Sequence, residues 1–357
     1  KITLIDSDVS NAAIELNPNN DQHKYIFSGT LNTNSLLDIC RPGSYLHEKI
    51  TTLTKNEPVV IYTDQDLNLN ILIKSLDMTP MLTSQDSDSM SFDSSFFSNP
   101  VIQLKSSILN FKRWKVTDIE AQISHQISRG TDHTTILLNN AGLCDIKASG
   151  HIKLDNNEAV YINLPFKAQN KENIQDLLSC FFGKKQLMNG TYSLVGKIET
   201  NALKKDITSS LNGSFQLEAQ DGRIYKLTLL SRILSLVNVS TIFKGKLPDI
   251  TQQGFAYTSI LIEADIKQSI IHIKKAVVKG VDMTLFFTGR VDIMEDNMDM
   301  TVLVSPFKTI DSLLEKIPLI NTLMDGRLIT IPIKATGPIS DPVVVPLHPS
   351  AVGETIG

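Results

Sequence analysis

The sequence has few of the features that identify an enzyme or a nucleic-acid-binding protein. Only 6% of its 357 residues are aromatic, and Lys and Arg are spread along a chain with a formal net charge of −4. Such a chain has no basic patch for a phosphate backbone, so no nucleic-acid partner is expected. No run approaches the ~18 apolar residues of a membrane-spanning helix. The three cysteines are too far apart and odd in number for a complete disulfide framework, which predicts buried thiols.

Motifs for catalysis and metal binding are also missing. The seven histidines show no two-His helical spacing, and there is no nucleophile elbow or glycine-rich phosphate loop. The stretch from Asp64 resembles a calcium loop, but Leu69 stands where that loop requires Gly and Ser75 where it requires Glu. Asp265 and His272 could meet across a hairpin, as chance pairs in a sheet often do. We therefore expect no enzymatic activity, no metal and no cofactor.

Strict alternation of apolar and polar residues is the commonest local pattern of the chain. It predicts strands with one apolar and one polar face, joined by short hairpins in a serial antiparallel meander. The apolar positions are Leu67, Leu69, Ile71 and Ile73; Ile260, Ile262, Ala264 and Ile266; Met283, Leu285, Phe287, Val291 and Ile293; Met298, Met300, Val302 and Val304; and Ile329, Ile331 and Ile333. The predicted fold class is mainly β.

A glycine followed by alternating apolar residues recurs along the chain. Glycine within a strand permits a bend or a bulge, so this recurrence predicts an elongated, curled antiparallel sheet that forms a hydrophobic groove. The recurring glycines are Gly29, Gly150, Gly196, Gly213 and Gly289.

Helical spacing interrupts the β pattern in three places. Ile174–Phe182 carries an apolar stripe ended by Gly183, Leu227–Val239 is apolar nearly all round, and Ile310–Ile317 carries a stripe before a proline. These short amphipathic helices are predicted either to pack on the sheet or to plug a groove. Residues 83–99 are rich in Ser and Asp and are predicted to form a mobile surface loop.

From about Lys171 to the end, the order of short motifs resembles the C-terminal domain of the AsmA-like family, bacterial envelope proteins of the AsmA, TamB and YhdP type. Besides the first two helices the motifs are strand and turn segments, three of them between the helices, with Asn321 where the family often has Gly. The strand and turn segments are Asn189–Gly196, Leu211–Leu217, Asp221–Ile224, Lys246–Asp249, Gly254–Tyr257, Gly289–Ile293, Met298–Val302, Ser305–Phe307, Ile317–Leu319 and Gly337–Pro342.

The resemblance implies two regions, β-groove repeats over residues 1–170 and an AsmA-like C-terminal β-groove domain over 171–357. It implies non-enzymatic binding and transfer of phospholipid between the inner and outer membranes, in support of outer-membrane integrity. The chain is then expected in the periplasm, anchored to the inner membrane by an N-terminal helix that precedes Lys1. The alternative is a periplasmic scaffold that assists outer-membrane protein assembly, with assembly proteins as partners.

The groove lining is predicted from the alternating residues of the family-like half. Alternation identifies residues that share a face, but that face can line a groove or meet a helix. The predicted acyl-chain-binding residues are Ile260, Ile262, Ile271, Ile273, Met283, Leu285, Phe287, Val302 and Ile331.

Overall fold

The computed structural model describes residues 2–6, 9–16, 25–31, 59–63, 69–77, 101–111, 114–128, 131–155, 158–171, 173–183, 187–225, 228–238, 254–281, 283–305 and 331–348. These residues form eighteen strands and two α-helices. The strands are β1 (Ile2–Asp6), β2 (Val9–Leu16), β3 (Tyr25–Leu31), β4 (Val59–Thr63), β5 (Leu69–Asp77), β6 (Ile102–Phe111), β7 (Trp114–Ser128), β8 (Thr131–Leu143), β9 (Ile146–Asp155), β10 (Ala159–Lys171), β11 (Thr191–Leu203), β12 (Asn212–Ile224), β13 (Phe255–Lys267), β14 (Ile270–Gly280), β15 (Thr284–Asp292), β16 (Asn297–Ser305), β17 (Ile331–Pro338) and β18 (Val343–Pro346). The helices are α1 (Ile174–Phe182) and α2 (Thr228–Asn238), and a 3₁₀ helix covers Lys204–Asp206.

The expectation of a mainly β protein with a curled antiparallel sheet and a few short helices is confirmed. The residues group into two compact units, 1–165 with 200–207 and 166–199 with 208–357. No helix in the described part of the chain is long and apolar enough to cross a membrane. The predicted loop at 83–99 and the predicted helix Ile310–Ile317 lie outside the described residues. The division between residues 170 and 171 stays a prediction.

In the first unit, strands β1 to β5 pair in sequence order and antiparallel, and so do β6 to β9. The exception to the predicted meander is the parallel pairing of β5 with β6. Parallel neighbours need a crossover of a dozen or more residues, and residues 78–101 between these two strands are long enough to provide it. Alternation alone does not reveal the direction of a strand, so the meander prediction was wrong at this step.

In the second unit, β11 to β18 pair antiparallel in the order of the sequence. The recurring glycine of β15 shows why that residue type is needed there. Gly289 has φ 137°, and a Cβ built on it would lie 2.2 Å from the carbonyl oxygen of Asp299 on β16. Only glycine allows the two backbones to approach this closely.

The two helices begin and end close to the predicted positions. The side chain of Asn173 accepts a hydrogen bond from the backbone N–H of Gln175 at the start of α1. Gly183, with φ 65°, ends the helix and donates its N–H to the carbonyl of Ser179. The Gly183 cap is the one that the sequence predicts, whereas the Asn173 cap was not part of the prediction.

A network of hydrogen bonds around Tyr257 joins β11, β12 and β13. The Tyr257 hydroxyl donates to the carbonyl of Asn189 at 2.5 Å, and the Asn189 side chain accepts the backbone N–H of Arg223 at 2.7 Å. A Cβ at Gly190 or Gly222 would lie 2.3 or 2.4 Å from the tyrosine hydroxyl, so both glycines make room for it. Burial, and secondly the carboxylate of Asp221, raise the pKa of Tyr257 to about 12.

We expect Tyr257→Phe to change how stability depends on alkaline pH. An unfolded tyrosine titrates near pH 10, so its stabilising effect is fully present below about pH 10 and is lost as the pH rises to about 12. Urea unfolding at pH 8, 10 and 11.5 should therefore show a steeper alkaline loss in the parent than in Tyr257→Phe. At pH 8 the variant should lose about 1 kcal/mol for the missing hydrogen bond. Equal alkaline slopes for the two proteins would contradict this assignment.

Candidate functional site

One face of β13–β17 gathers the predicted groove residues. Directly paired residues of antiparallel strands share a face, and the pairing here forms rows across the strands. The first row is Ile260, Val278, Leu285, Val304 and Ile331; the second is Ile262, Ala276, Phe287, Val302 and Ile333; the third is Ala264, Ile273, Gly289, Met300 and Ala335; the fourth is Ile266, Ile271, Val291, Met298 and Gly337. Eight of the nine predicted residues lie in these rows, and Met283 directly precedes β15.

Burial divides the nine residues into two groups. Leu285 and Val302 are 0% exposed, Met283 is 1% and Ile260 is 5%, so these four are part of a packed core. The half-buried residues are Ile262, Ile271, Ile273, Phe287 and Ile331. A side chain without exposed surface has no area to offer to a ligand, so only the second group can line a surface in this conformation.

Helix α2 packs on the same face. Its residue Leu229 packs against a cluster formed by Met298, Met300 and Ala335, together with half-buried Ile273 and Phe287. Towards the C-terminal end of the helix, Ile233 and Val237 are 0% exposed. The third row of the face alternates large residues with Ala264, Gly289 and Ala335, and small residues let a helix approach a sheet closely. The apolar face of the second unit is therefore covered by α2 at Met300 and Ala335 of this row.

The exposed side of α2 is tied to the turn before β18. The guanidinium of Arg232 forms an ion pair with the carboxylate of Asp341 and donates to the carbonyl of Pro342. Beside this contact lies an open groove of about 590 Å³, with Ser231 and Leu236 of α2 on one side and Val343 and Val344 of β18 on the other. We call the contact of Arg232 with Asp341 and Pro342 the Arg232 latch.

The opposite face of β13–β17 carries exposed ion pairs. Lys274 lies 2.8 Å from Asp265, and Asp299 pairs with Arg290 at 3.7 Å and with Lys334. His272 lies opposite Asp265, as a hairpin between them allows, but the carboxylate is paired with lysine. The side chains of these pairs are partly exposed, from 26% for Lys334 to 65% for Arg290, and each carboxylate is paired with a cation. Among the described residues no group of His, Cys, Asp and Glu side chains could hold a metal ion.

The first unit has a second apolar face, on β5–β9, that the site prediction did not include. Two rows run across it in register. The residues of these rows are Ile102, Ile123, Ile136 and Ile152, and Ile71, Leu104, Ala121, Leu138 and Gly150. Apart from Ala121 they are all half-buried. We call these two rows the β5–β9 band.

The β5–β9 band could have been found from its alternation. The other face of the same strands is mostly polar. Gln103, Gln122 and His151 lie in one row there, with Leu137 between the last two, and Lys105 pairs with Glu120 at 3.2 Å. The predicted site residues all lie in the part of the chain that carries the family motifs, whereas the band lies N-terminal to that part. Its apolar residues have the period of two that identified the second face.

Two of the three cysteines differ from the expectation of buried thiols. Cys144, between β8 and β9, and Cys180, in α1, are both disulfide-bonded. Sequence spacing does not reveal this, because folding decides which cysteines come within bonding distance. The prediction was therefore wrong for these two residues, and Cys40 lies outside the described residues.

Truncation should separate the core residue Leu285 from Val195, an exposed residue on β11 of the same unit. Leu285→Ala should lower the free energy of unfolding by about 2–5 kcal/mol, because it leaves a cavity among packed side chains. Val195→Ala, at a residue that is 54% exposed, should change it by less than about 0.5 kcal/mol. Urea denaturation followed by circular dichroism measures both. A loss below about 1 kcal/mol for Leu285→Ala would show that this residue is not packed.

Comparison with known proteins agrees with the resemblance of the C-terminal half and extends it. A family model described as YhdP protein matches residues 59–344, which is well over half of the chain. No curated protein and no solved structure matches the chain. The matched range includes both apolar faces. The chain belongs to the YhdP family, within the AsmA-like proteins of the bacterial envelope.

Proposed function

We propose that this chain binds phospholipid acyl chains on its apolar sheet faces and passes them between the inner and outer membranes, in support of outer-membrane integrity. The observation that carries the proposal is the β5–β9 band. Its aliphatic side chains continue in register from strand to strand and are half-buried rather than packed away. An acyl chain that crosses the strands meets an apolar side chain at each ~4.8 Å step.

The energetics of a lipid favour a continuous apolar surface over a closed pocket. Each buried methylene contributes about 0.8 kcal/mol, so a sixteen-carbon chain costs roughly 12 kcal/mol to expose to water. A chain that slides from one strand to the next keeps most of its methylenes in contact with aliphatic side chains throughout. This removes the largest barrier to lipid movement without a chemical step, which agrees with a non-enzymatic role.

The separation of apolar and charged residues on opposite faces of the sheet also leaves the polar headgroup of a lipid in water. Charged side chains such as Lys105 and Glu120 lie on the opposite face of the band, so the apolar rows themselves contain no charge. A headgroup at the edge of the sheet stays hydrated, so binding carries no free-energy cost for removing its charge from water. The surface therefore needs no charged pocket, and it selects for acyl chains rather than for one headgroup.

Family membership supports a place in the cell envelope. The bonded state of Cys144 and Cys180 supports the periplasm, because disulfides persist in oxidising compartments and the bacterial periplasm is one of them. We propose that the protein is periplasmic and anchored to the inner membrane by a helix that precedes Lys1. Phospholipid and the two membranes are then its partners.

The second candidate function is a periplasmic scaffold that assists outer-membrane protein assembly. It is favoured by one observation, the packing of α2 on the apolar face of the second unit, because a covered face has less surface for lipid. A scaffold needs no free apolar face. The β5–β9 band distinguishes the two functions, since only lipid binding requires it to be accessible.

A pair of charges on the band should abolish lipid binding. Ile123 and Ile136 lie opposite each other on β7 and β8, so Ile123→Asp with Ile136→Asp places two carboxylates in the middle of the proposed lipid path. Native mass spectrometry and lipid extraction should find phospholipid with the parent and at least tenfold less with the variant. The physical reason is the cost of placing an acyl chain against two unpaired charges.

The matched control places the same charges on the other face of the same strands. Gln122→Asp with Thr135→Asp should keep the lipid content of the parent, because these side chains point away from the band. Circular dichroism must show that both variants are folded. Equal lipid in the two variants would contradict binding at the band. A parent that contains no lipid and is not labelled by photo-crosslinkable lipids would favour the scaffold.

A further inference from the structure

Helix α2 occupies a surface of the same kind as the β5–β9 band. Beneath it lie the apolar residues of the third row, among them Met300, Ala335 and the half-buried Ile273. The side chains that α2 presents to the protein are Leu230, Ile233, Leu234 and Val237, each at most 6% exposed. An aliphatic stripe on an aliphatic face makes few directional contacts, so an acyl chain can replace it with little loss of burial.

The helix lies over the C-terminal strands of this face. It begins three residues after Tyr225 at the end of β12, yet it contacts β17 and β18. Its residue Leu229 also packs near Met300 of β16. The helix therefore lies over β16–β18, in the path of an acyl chain that reaches these strands.

The polar attachment of α2 is weak. In the Arg232 latch the side chain of Arg232 is 41% exposed and that of Asp341 is 71% exposed. Water and salt screen an ion pair between such exposed groups. The open groove between Leu236 of α2 and Val343 and Val344 of β18 lies next to this latch. It is the place where an aliphatic chain can begin to enter between helix and sheet.

We propose that α2 is a displaceable plug, held by the Arg232 latch, and that a lipid acyl chain takes its place on the third row of the second unit. This proposal rests on the proposed function, because it describes how α2 regulates lipid binding on one of the two apolar faces. Lipid binds the open state only, so by linkage it shifts the population towards that state. The acyl chain then covers Met300, Ala335 and Val344 in place of the helix.

Hydrogen exchange of the α2 backbone tests the plug in the whole chain. Without lipid, Arg232→Ala should speed exchange of the α2 amides about fivefold, which corresponds to loss of an exposed ion pair. The charge-swapped double variant, Arg232→Asp with Asp341→Arg, should return towards the parental rate. Ser235→Ala, on the exposed side of the same helix, is the control and should leave the rate unchanged or lower it.

The second part of the experiment measures the effect of a lipid on α2. Palmitic acid with a diazirine in its acyl chain should speed α2 exchange in the parent, and after illumination it should label β16 more strongly in Arg232→Ala than in the parent. If palmitic acid leaves α2 exchange unchanged or slows it while label still appears on β6–β8, α2 is a permanent core helix and the plug is excluded. If no strand is labelled in any variant, the proposed function fails, and the plug fails with it.

Discussion

The structure depends on one constraint, the register in which alternating strands pair. Because a one-residue slip would turn every side chain to the other face, the pairing that places Leu285 opposite Val278 and Val304 also aligns every other residue of those strands. The same constraint aligns Ile123 with Ile102 and Ile136 in the first unit. Both apolar faces, and the ion pairs behind them, follow from this alignment.

A face so formed becomes a core or a binding surface according to what covers it. In the second unit, α2 covers part of the third row, and Leu285 and Val302 lie in a packed interior with no exposed area. In the first unit, residues of the same type remain half-buried. The two faces have the same chemistry, so the difference in accessibility is a property of packing. This is why the strongest candidates for lipid contact lie on β5–β9, before the motifs that identify the family.

The same separation of faces is compatible with the proposed lipid binding, which requires no polar active site. Its ionised side chains are paired across strands on the far face, as Arg290 and Lys334 are with Asp299. The apolar rows contain no charge that would bind a headgroup tightly and stop a lipid from moving. Weak, repeated and non-directional contacts suit transfer, whereas a deep pocket suits retention. The plug helix fits this scheme, because it competes with a ligand that also binds through burial alone.

The sequence by itself determined the fold class, both described helices with the Gly183 cap of α1, the family, and which of the named residues share a face, because alternation and capping are local and repeat along the chain. Only the tertiary structure decided the parallel pairing of β5 with β6, the bonded state of Cys144 and Cys180, and the burial of Leu285 beside the half-buried Phe287. These depend on contacts between residues far apart in the chain. A period of two predicts on which face of the sheet a side chain lies. The residues that it contacts there depend on α2 and on the neighbouring strands.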